Sequence, residues 1–218
     1  SIPLGINHSL SNMREDAAGE YYYDQAGYAI YEGLENRRES ASNLITLAER
    51  YQEGNPELAK LIDELEYRVQ TSEQAYDEDD TFRKTAAANA ALDAPAQALA
   101  GALQDTELAE KDRRYPQQLI DNMRSEQDKI NRSSYNTEAK KFNEKLVSLQ
   151  PMALLKPMAV FSDISAVQVQ QTTGGETDPV TTANGIAQAA EEFADNIADN
   201  VESGVEGLVD GILDGIFG

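Results

Sequence analysis

Several groups of residues in this chain have types and spacings that chemistry could use. His8 is the one histidine among 218 residues, and a Ser–His–Asp or Cys–His arrangement would need it as the base. It stands near the N-terminus with no partner motif and reads as an exposed residue at a helix start. Asp77-Glu78-Asp79-Asp80 sets four acids in a row and invites a calcium reading. A helix–loop–helix calcium loop needs a central Gly and a distal bidentate Glu, and neither is spaced for it here. An acidic turn that caps the following helix fits these residues better. Paired carboxylates are numerous, yet no Glu-x-x-His pattern exists to build a di-iron centre between helices. Gly174-Gly175 has no Lys beside it and no strand before it, which removes a phosphate loop. Asn7-His8-Ser9 and Asn131-Arg132-Ser133 match the glycosylation sequon, a pattern that chance supplies often. No catalytic, cofactor-binding or metal-ligating residue is assigned, so the chain reads as non-enzymatic. An enzymatic alternative would need a site of carboxylates alone.

The polar residues that do stand out lie between Ile130 and Phe161. Tyr135-Asn136 and Phe142-Asn143 are seven residues apart, almost two full turns, so both pairs share one helix face. Each pair offers a ring to a core with an amide beside it. Tyr135, Phe142 and Phe161 are the expected core signature. Arg132, Asn136 and Asn143, together with Arg38 and Asn43 from an earlier helix, are expected to form a buried polar layer that fixes helix register, as a buried Asn does in coiled coils. On that reading Asn136→Leu would change register or assembly rather than abolish an activity.

These residues need helices to position them, and the composition supplies helices. Ala, Leu, Glu, Asp and Gln dominate, Trp is absent, and only 7% of residues are aromatic, which favours an all-α antiparallel bundle over a sheet protein. Ile6, Leu10, Met13, Ala17 and Tyr21 recur every three or four residues and predict a first helix that Asp24-Gln25-Ala26-Gly27 interrupts. Tyr21-Tyr22-Tyr23 cannot all point one way, so at least one ring should be half exposed; core packing fits the triplet better than a ligand platform does. A second helix from Ile30 to Gln52 carries Leu34, Ala41, Leu44, Ile45 and Ala48. Asn55 and Pro56 suit the cap and first residue of a third helix, with Leu58, Ile62, Leu65, Val69 and Tyr76 on its stripe. A fourth, from Phe82 to Leu103, is kinked at Asp93-Ala94-Pro95 or restarted with Asp93 as its cap. Leu108, Leu119, Met123 and Ile130 continue a stripe, after which the phase slips. Ile130 to Tyr135 is five residues, which turns the apolar face by roughly 140° on a continuous helix. A break is therefore expected at Arg132-Ser133-Ser134, with a serine capping the next helix. Pro151 stops that helix, and Met152 to Val169 should close one end of the bundle.

Residues 170–185 are rich in Thr, Gly and Pro and read as a linker, so the bundle domain is placed at 1–169. Residues 186–218 form an acidic amphipathic tail. Phe193, Ile197, Val201, Val205, Leu208, Ile212 and Ile216 share one face, and acids such as Asp195, Glu202 and Asp210 lie opposite. This assembly stripe must be covered by the bundle, a copy of itself or another apolar surface. Gly207, Gly211 and Gly215 permit close helix approach but lower helix propensity, so a frayed tail and a docking helix stand level.

The net charge is −21, which argues against nucleic acid and against electrostatic docking on anionic lipid. The absence of Cys removes disulfides, thiolate metal sites and a Cys nucleophile. No apolar run is long enough to span a bilayer. A start at Ser1 suggests processing or truncation, with an upstream segment as the expected route to a membrane.

The pattern Ile130-x-Arg132-x-x-Tyr135-Asn136 followed by Phe142-Asn143 and the Leu, Pro and Phe positions resembles the LemA family. Arg37-Arg38, Ala41 and Asn43-Leu44 are similar to that family's double-Arg and Asn-Leu segment. Leu108-Ala109-Glu110-Lys111-Asp112, Tyr115 and Arg124 resemble a LemA-like branch of Gram-positive bacteria. The likeness spans Leu10 to Phe161. It implies a helical bundle on an N-terminal transmembrane helix, placed outside the cytoplasm, without assigned catalytic residues or cofactors. This chain departs from it in lacking that membrane helix, in its acidic tail, and in a spacing from Ile130 to Tyr135 shorter by two residues. The expectation is a non-enzymatic, extracytoplasmic bundle, of the cell envelope or secreted, that scaffolds or binds protein partners. The alternative is a secreted subunit that assembles with copies of itself into oligomers or filaments through the C-terminal helix.

Overall fold

The computed structural model describes residues 4–149 and 155–162. The linker at 170–185 and the tail with its stripe from Phe193 to Ile216 lie outside the described residues, as do Met152 and Leu154. Among the described residues the protein is an all-α bundle of seven helices. They are α1 (Leu4–Tyr22), α2 (Ile30–Glu49), α3 (Pro56–Gln74), α4 (Arg83–Ala90), α5 (Asp93–Gln104), α6 (Tyr115–Asn131) and α7 (Ser134–Ser148). None is long and apolar enough to cross a membrane.

Local sequence accounts for some of the helix ends. Asn55 caps α3, its side chain accepting from Leu58 N at 3.1 Å, with Pro56 in the first turn. Gly27 takes φ +79° in the turn after α1, a conformation that side chains resist. Tyr76 was expected on the α3 stripe, but α3 stops at Gln74 and Tyr76 lies beyond it, 64% exposed. The fourth predicted helix is two. Asp93 does not cap α5, whose N-cap position is Leu92; the Asp93 carboxylate turns instead to an arginine of α2. Leu108 is buried in the connection before α6 rather than in that helix, because Pro116 in the first turn of α6 fixes its start.

The interior has two parts. Ala41, Leu44, Leu58, Leu65, Leu99, Leu103 and Met123 fill the space among α2, α3, α5 and α6. Leu10, Ala17, Tyr21, Phe82, Tyr135, Phe142, Leu146, Met158 and Phe161 fill the other part, between α1 and α7. Ile30, Leu34 and Ile130 carry α2 and α6 into this second part. At that crossing a Cβ on Gly33 would sit 2.6 Å from Ile130 Cγ1, so the helices approach this closely only over a glycine. Met158 and Phe161 are buried and Leu155 and Val160 pack against them, so this stretch closes one end as its apolar pattern predicts.

Phe82 has φ +55° and its neighbour Asp80 +53°, left-handed values that cost about 1–3 kcal/mol in non-glycine residues. The return is the Phe82 ring stacked on Tyr21 at 4.0 Å and edge-on to Tyr135 at 5.7 Å. The amides left open at the start of α4 are taken by Asp77, which accepts from Lys84 N and Thr85 N at 2.9 and 3.4 Å. Burial, partly offset by these bonds, raises the Asp77 carboxyl above its ordinary range. The acidic run is a helix-capping turn.

Candidate functional site

The phase slip after Ile130 is a real break. Arg132 ends α6, and Ser133 turns to φ −60°, ψ 138° with its hydroxyl accepting from Tyr135 N at 3.4 Å. The link from α1 to α2 breaks opposite it, and Asp24 fastens the two breaks together. Its carboxylate accepts from Ser134 N at 3.1 Å, Ser134 Oγ at 3.0 Å and Ala26 N at 2.9 Å. The carboxylate therefore stands at the N-terminus of α7, where helix amides and dipole favour a negative charge. Burial alone would raise the Asp24 carboxyl, but the bonds from Ala26, Ser134 and Ser133 outweigh it and hold it below its ordinary value. Since this pKa is depressed on folding, the stabilisation is present above the unfolded value, near 4, and is lost as pH falls through the folded one. Asp24→Asn should cost about 1–2 kcal/mol at neutral pH and flatten the acid limb of a stability–pH curve. An unchanged limb would show that Asp24 does not carry it.

A second polar junction joins α2, α4, α5 and α6. Arg37 is 1% exposed. Its guanidinium donates to Met123 O at 3.1 Å, Asn89 O at 3.4 Å and Asp93 Oδ1 at 2.6 Å. Asn89 donates to Gln127 Oε1 at 2.9 Å, and Gln127 to Asn131 Oδ1 at 2.9 Å. Arg37 Nε and Asn89 Oδ1 find no partner among the described residues. Away from this junction Asp112 is also buried; it takes the Tyr51 hydroxyl at 2.6 Å and faces Arg50 at 3.4 Å, which ties the α5–α6 connection to the end of α2.

The five residues expected in one polar layer are not brought together. Asn136 is buried and donates to Ile130 O at 2.7 Å, while its oxygen accepts from Ser162 N at 3.3 Å. Asn143 makes a two-way pair with the Met158 backbone, both bonds at 2.8 Å. These amides hold their own helix junction and the 155–162 segment; they do not reach α2. Arg132 is exposed, bonded to Asp128 O at 3.1 Å with its guanidinium 5.0 Å from the Tyr28 ring. Arg38 is half-buried beside Glu35 and Ser72. Asn43 is exposed in a shallow polar groove of about 280 Å³ between α2 and α6, beside Glu39, Ser40 and Asn122. The physical reason is phase: Ile30, Leu34, Arg37, Ala41, Leu44 and Ala48 form one stripe, and Arg38 and Asn43 fall off it. The gap between Leu34 and Ala41 was the signal that points to Arg37. Asp24 had a weaker one, an Asp before a Gly turn. The core signature is where its pattern puts it: Tyr135 and Phe142 are wholly buried and Phe161 is 2% exposed.

His8 is exposed. Of the tyrosine triplet, Tyr21 is buried while Tyr22 and Tyr23 are 58% and 75% exposed. Among the described residues no three or more His, Cys, Asp or Glu side chains are placed so that they could hold a metal ion. Comparison with known proteins found no matching family model, no matching curated protein and no matching solved structure.

Proposed function

We propose that this chain is a non-enzymatic helical bundle of LemA type, held outside the cytoplasm at the cell envelope or secreted, that scaffolds or binds protein partners. One observation carries most of this reading. The buried groups Arg37, Asp24 and Asn136 and the half-buried Asn143 each hold backbone of another helix or segment. Groups committed in this way fix shape and are not free to act on a substrate. The groove between α2 and α6 is shallow and polar, unlike the enclosed, mostly apolar clefts that small ligands fill. Family and location rest on the resemblance of Arg37-Arg38, Asn43-Leu44, Tyr135-Asn136 and Phe142-Asn143 to the LemA pattern.

The spacing of apolar residues from Phe193 to Ile216 favours a second reading, a self-assembling subunit, because on a helix they would form a face that needs cover. Sedimentation of the full chain beside one ending at Gln170, each over a range of concentration, separates the two. Monomeric mass for both supports the partner-binding bundle. Oligomers or fibres from the full chain alone would replace it with the assembling subunit, and a stoichiometric divalent metal in the purified protein would overturn the non-enzymatic assignment.

A further inference from the structure

Apart from Tyr23, which is 75% exposed, the exposed tyrosines on this protein fall into two sets. Tyr67 and Tyr115 lie under their own arginines, with Arg68 at 5.4 Å and Arg114 at 5.2 Å from the ring centres, as Tyr28 lies under Arg132. Tyr22, Tyr31 and Tyr76 are 58%, 48% and 64% exposed. Among the described residues no cation covers these three rings, and the residues outside that description contain no Lys or Arg.

The three come from different elements, the end of α1, the start of α2 and the chain after α3; Tyr22 and Tyr31 stand together, and Tyr76 precedes the Asp77–Asp80 turn that leads into Phe82, which stands edge-on to Tyr22. Tyr22 and Tyr31 are 5.8 Å apart. Burial first, then Asp80, Tyr76 and Tyr31, raise the Tyr22 phenol. Tyr22 also stands edge-on to Tyr21 at 4.8 Å and to Phe82 at 6.4 Å, so the platform is braced from beneath by the core. Braced tyrosines offer contact area at low entropic cost. Asp80 gives the platform an exposed negative edge, and Glu35, paired with Arg38, lies close by.

We propose that Tyr22, Tyr31 and Tyr76, with Asp80, form a docking surface for an arginine- or lysine-bearing segment of another protein. Ring faces attract guanidinium and ammonium groups, and the carboxylate reinforces that attraction. Charge selects among occupants. The chain's own tail has many acids and no Lys or Arg after Lys156, a second copy carries −21, and lipid headgroups and nucleic acids are anionic, so each is repelled. A cationic peptide segment is attracted on both counts.

The proposal rests on the partner-binding reading, and its test uses the full chain with a fluorescent peptide of four Arg-Gly repeats, followed by anisotropy at about 0.15 M salt. Combining Tyr22→Leu, Tyr31→Leu and Tyr76→Leu should weaken binding about tenfold. The same three positions as Phe should bind within about twofold of the parent, because the ring faces remain. Tyr67→Leu with Tyr115→Leu should bind like the parent. Equal affinity of the Leu and Phe triples, or equal loss in the Tyr67/Tyr115 control, would assign the binding to net charge and overturn the proposal. A monomeric parent that does not bind the peptide overturns the cationic partner and leaves the partner-binding bundle standing. Self-association that shields the three rings from acetylation by N-acetylimidazole overturns both.

Discussion

Arg37→Ala is expected to lower the free energy of unfolding by about 3–5 kcal/mol, read from urea denaturation followed by helical circular dichroism. The change strips Met123 O and Asn89 O of buried donors and leaves a void among α2, α4, α5 and α6. Asp93 loses its partner too, but it is 30% exposed and can rehydrate, which keeps the cost below that of two stranded buried charges. Asp93→Ala tests the opposite loss. The guanidinium stays buried and keeps only carbonyl acceptors, so this variant should also fall by about 3 kcal/mol. Arg37→Met should cost less than either. It fills most of the same volume and removes a charge whose burial is expensive and whose Nε has no partner among the described residues. The ordering therefore matters more than any one value: Arg37→Ala most damaging, Arg37→Met least. If Arg37→Ala fell by less than about 1 kcal/mol, the junction would not be holding the four helices together.

The contrast between Arg37 and Arg38 shows what the linear pattern could and could not reveal. Periodicity located the helices because apolar positions at three- and four-residue steps have to face a common interior, and the five-residue step from Ile130 to Tyr135 located the α6–α7 break for the same reason. Polar residues have no such rule. An arginine on an apolar stripe is either an error of phase or a buried group with partners, and the partners here, Met123 O, Asn89 O and Asp93, come from three other helices. Nothing local to Arg37 predicts them. Asp24 is harder still, because the amide it caps belongs to Ser134, 110 residues away. Asn136 and Asn143 were legible as buried or half-buried amides beside core rings, but their acceptors and donors lie within their own helix junction and the 155–162 segment, so the cross-bundle layer did not form. That Tyr21-Tyr22-Tyr23 would leave a ring exposed was legible, but which exposed rings lie uncovered was not. Whether a ring is covered depends on which cation folds back over it, and only three dimensions supply that.

Those amides also change what substitution at the second half of the core should do. Asn136→Leu now points to loosening of the α6–α7 junction and of Ser162 rather than a change of register. The larger effect belongs to its neighbour. Tyr135→Ala is expected to cost about 3–5 kcal/mol, because the ring is wholly buried among Tyr21 at 5.9 Å, Phe82 at 5.7 Å and Phe161 at 5.7 Å, and little nearby can collapse into its place. Its hydroxyl donates to Ala159 O at 2.7 Å, so Tyr135→Phe keeps the ring and strands one acceptor, for about 1–2 kcal/mol. Ala159 N in turn donates to Thr81 O at 2.7 Å, next to the strained Phe82, so the loss should spread to the α4 entry and the 155–162 segment. Native-state hydrogen exchange distinguishes a local from a shared failure. If the two parts of the core open separately, Met158 and Ala159 amides lose protection in Tyr135→Ala while those of Leu61 and Leu65 in α3 keep it. Equal loss at all four would mean that α2 and α6, which run through both parts at Gly33 and Ile130, bind the bundle into one cooperative unit. The close packing at that crossing favours the shared outcome, since a helix that threads two cores cannot lose one without disturbing the other.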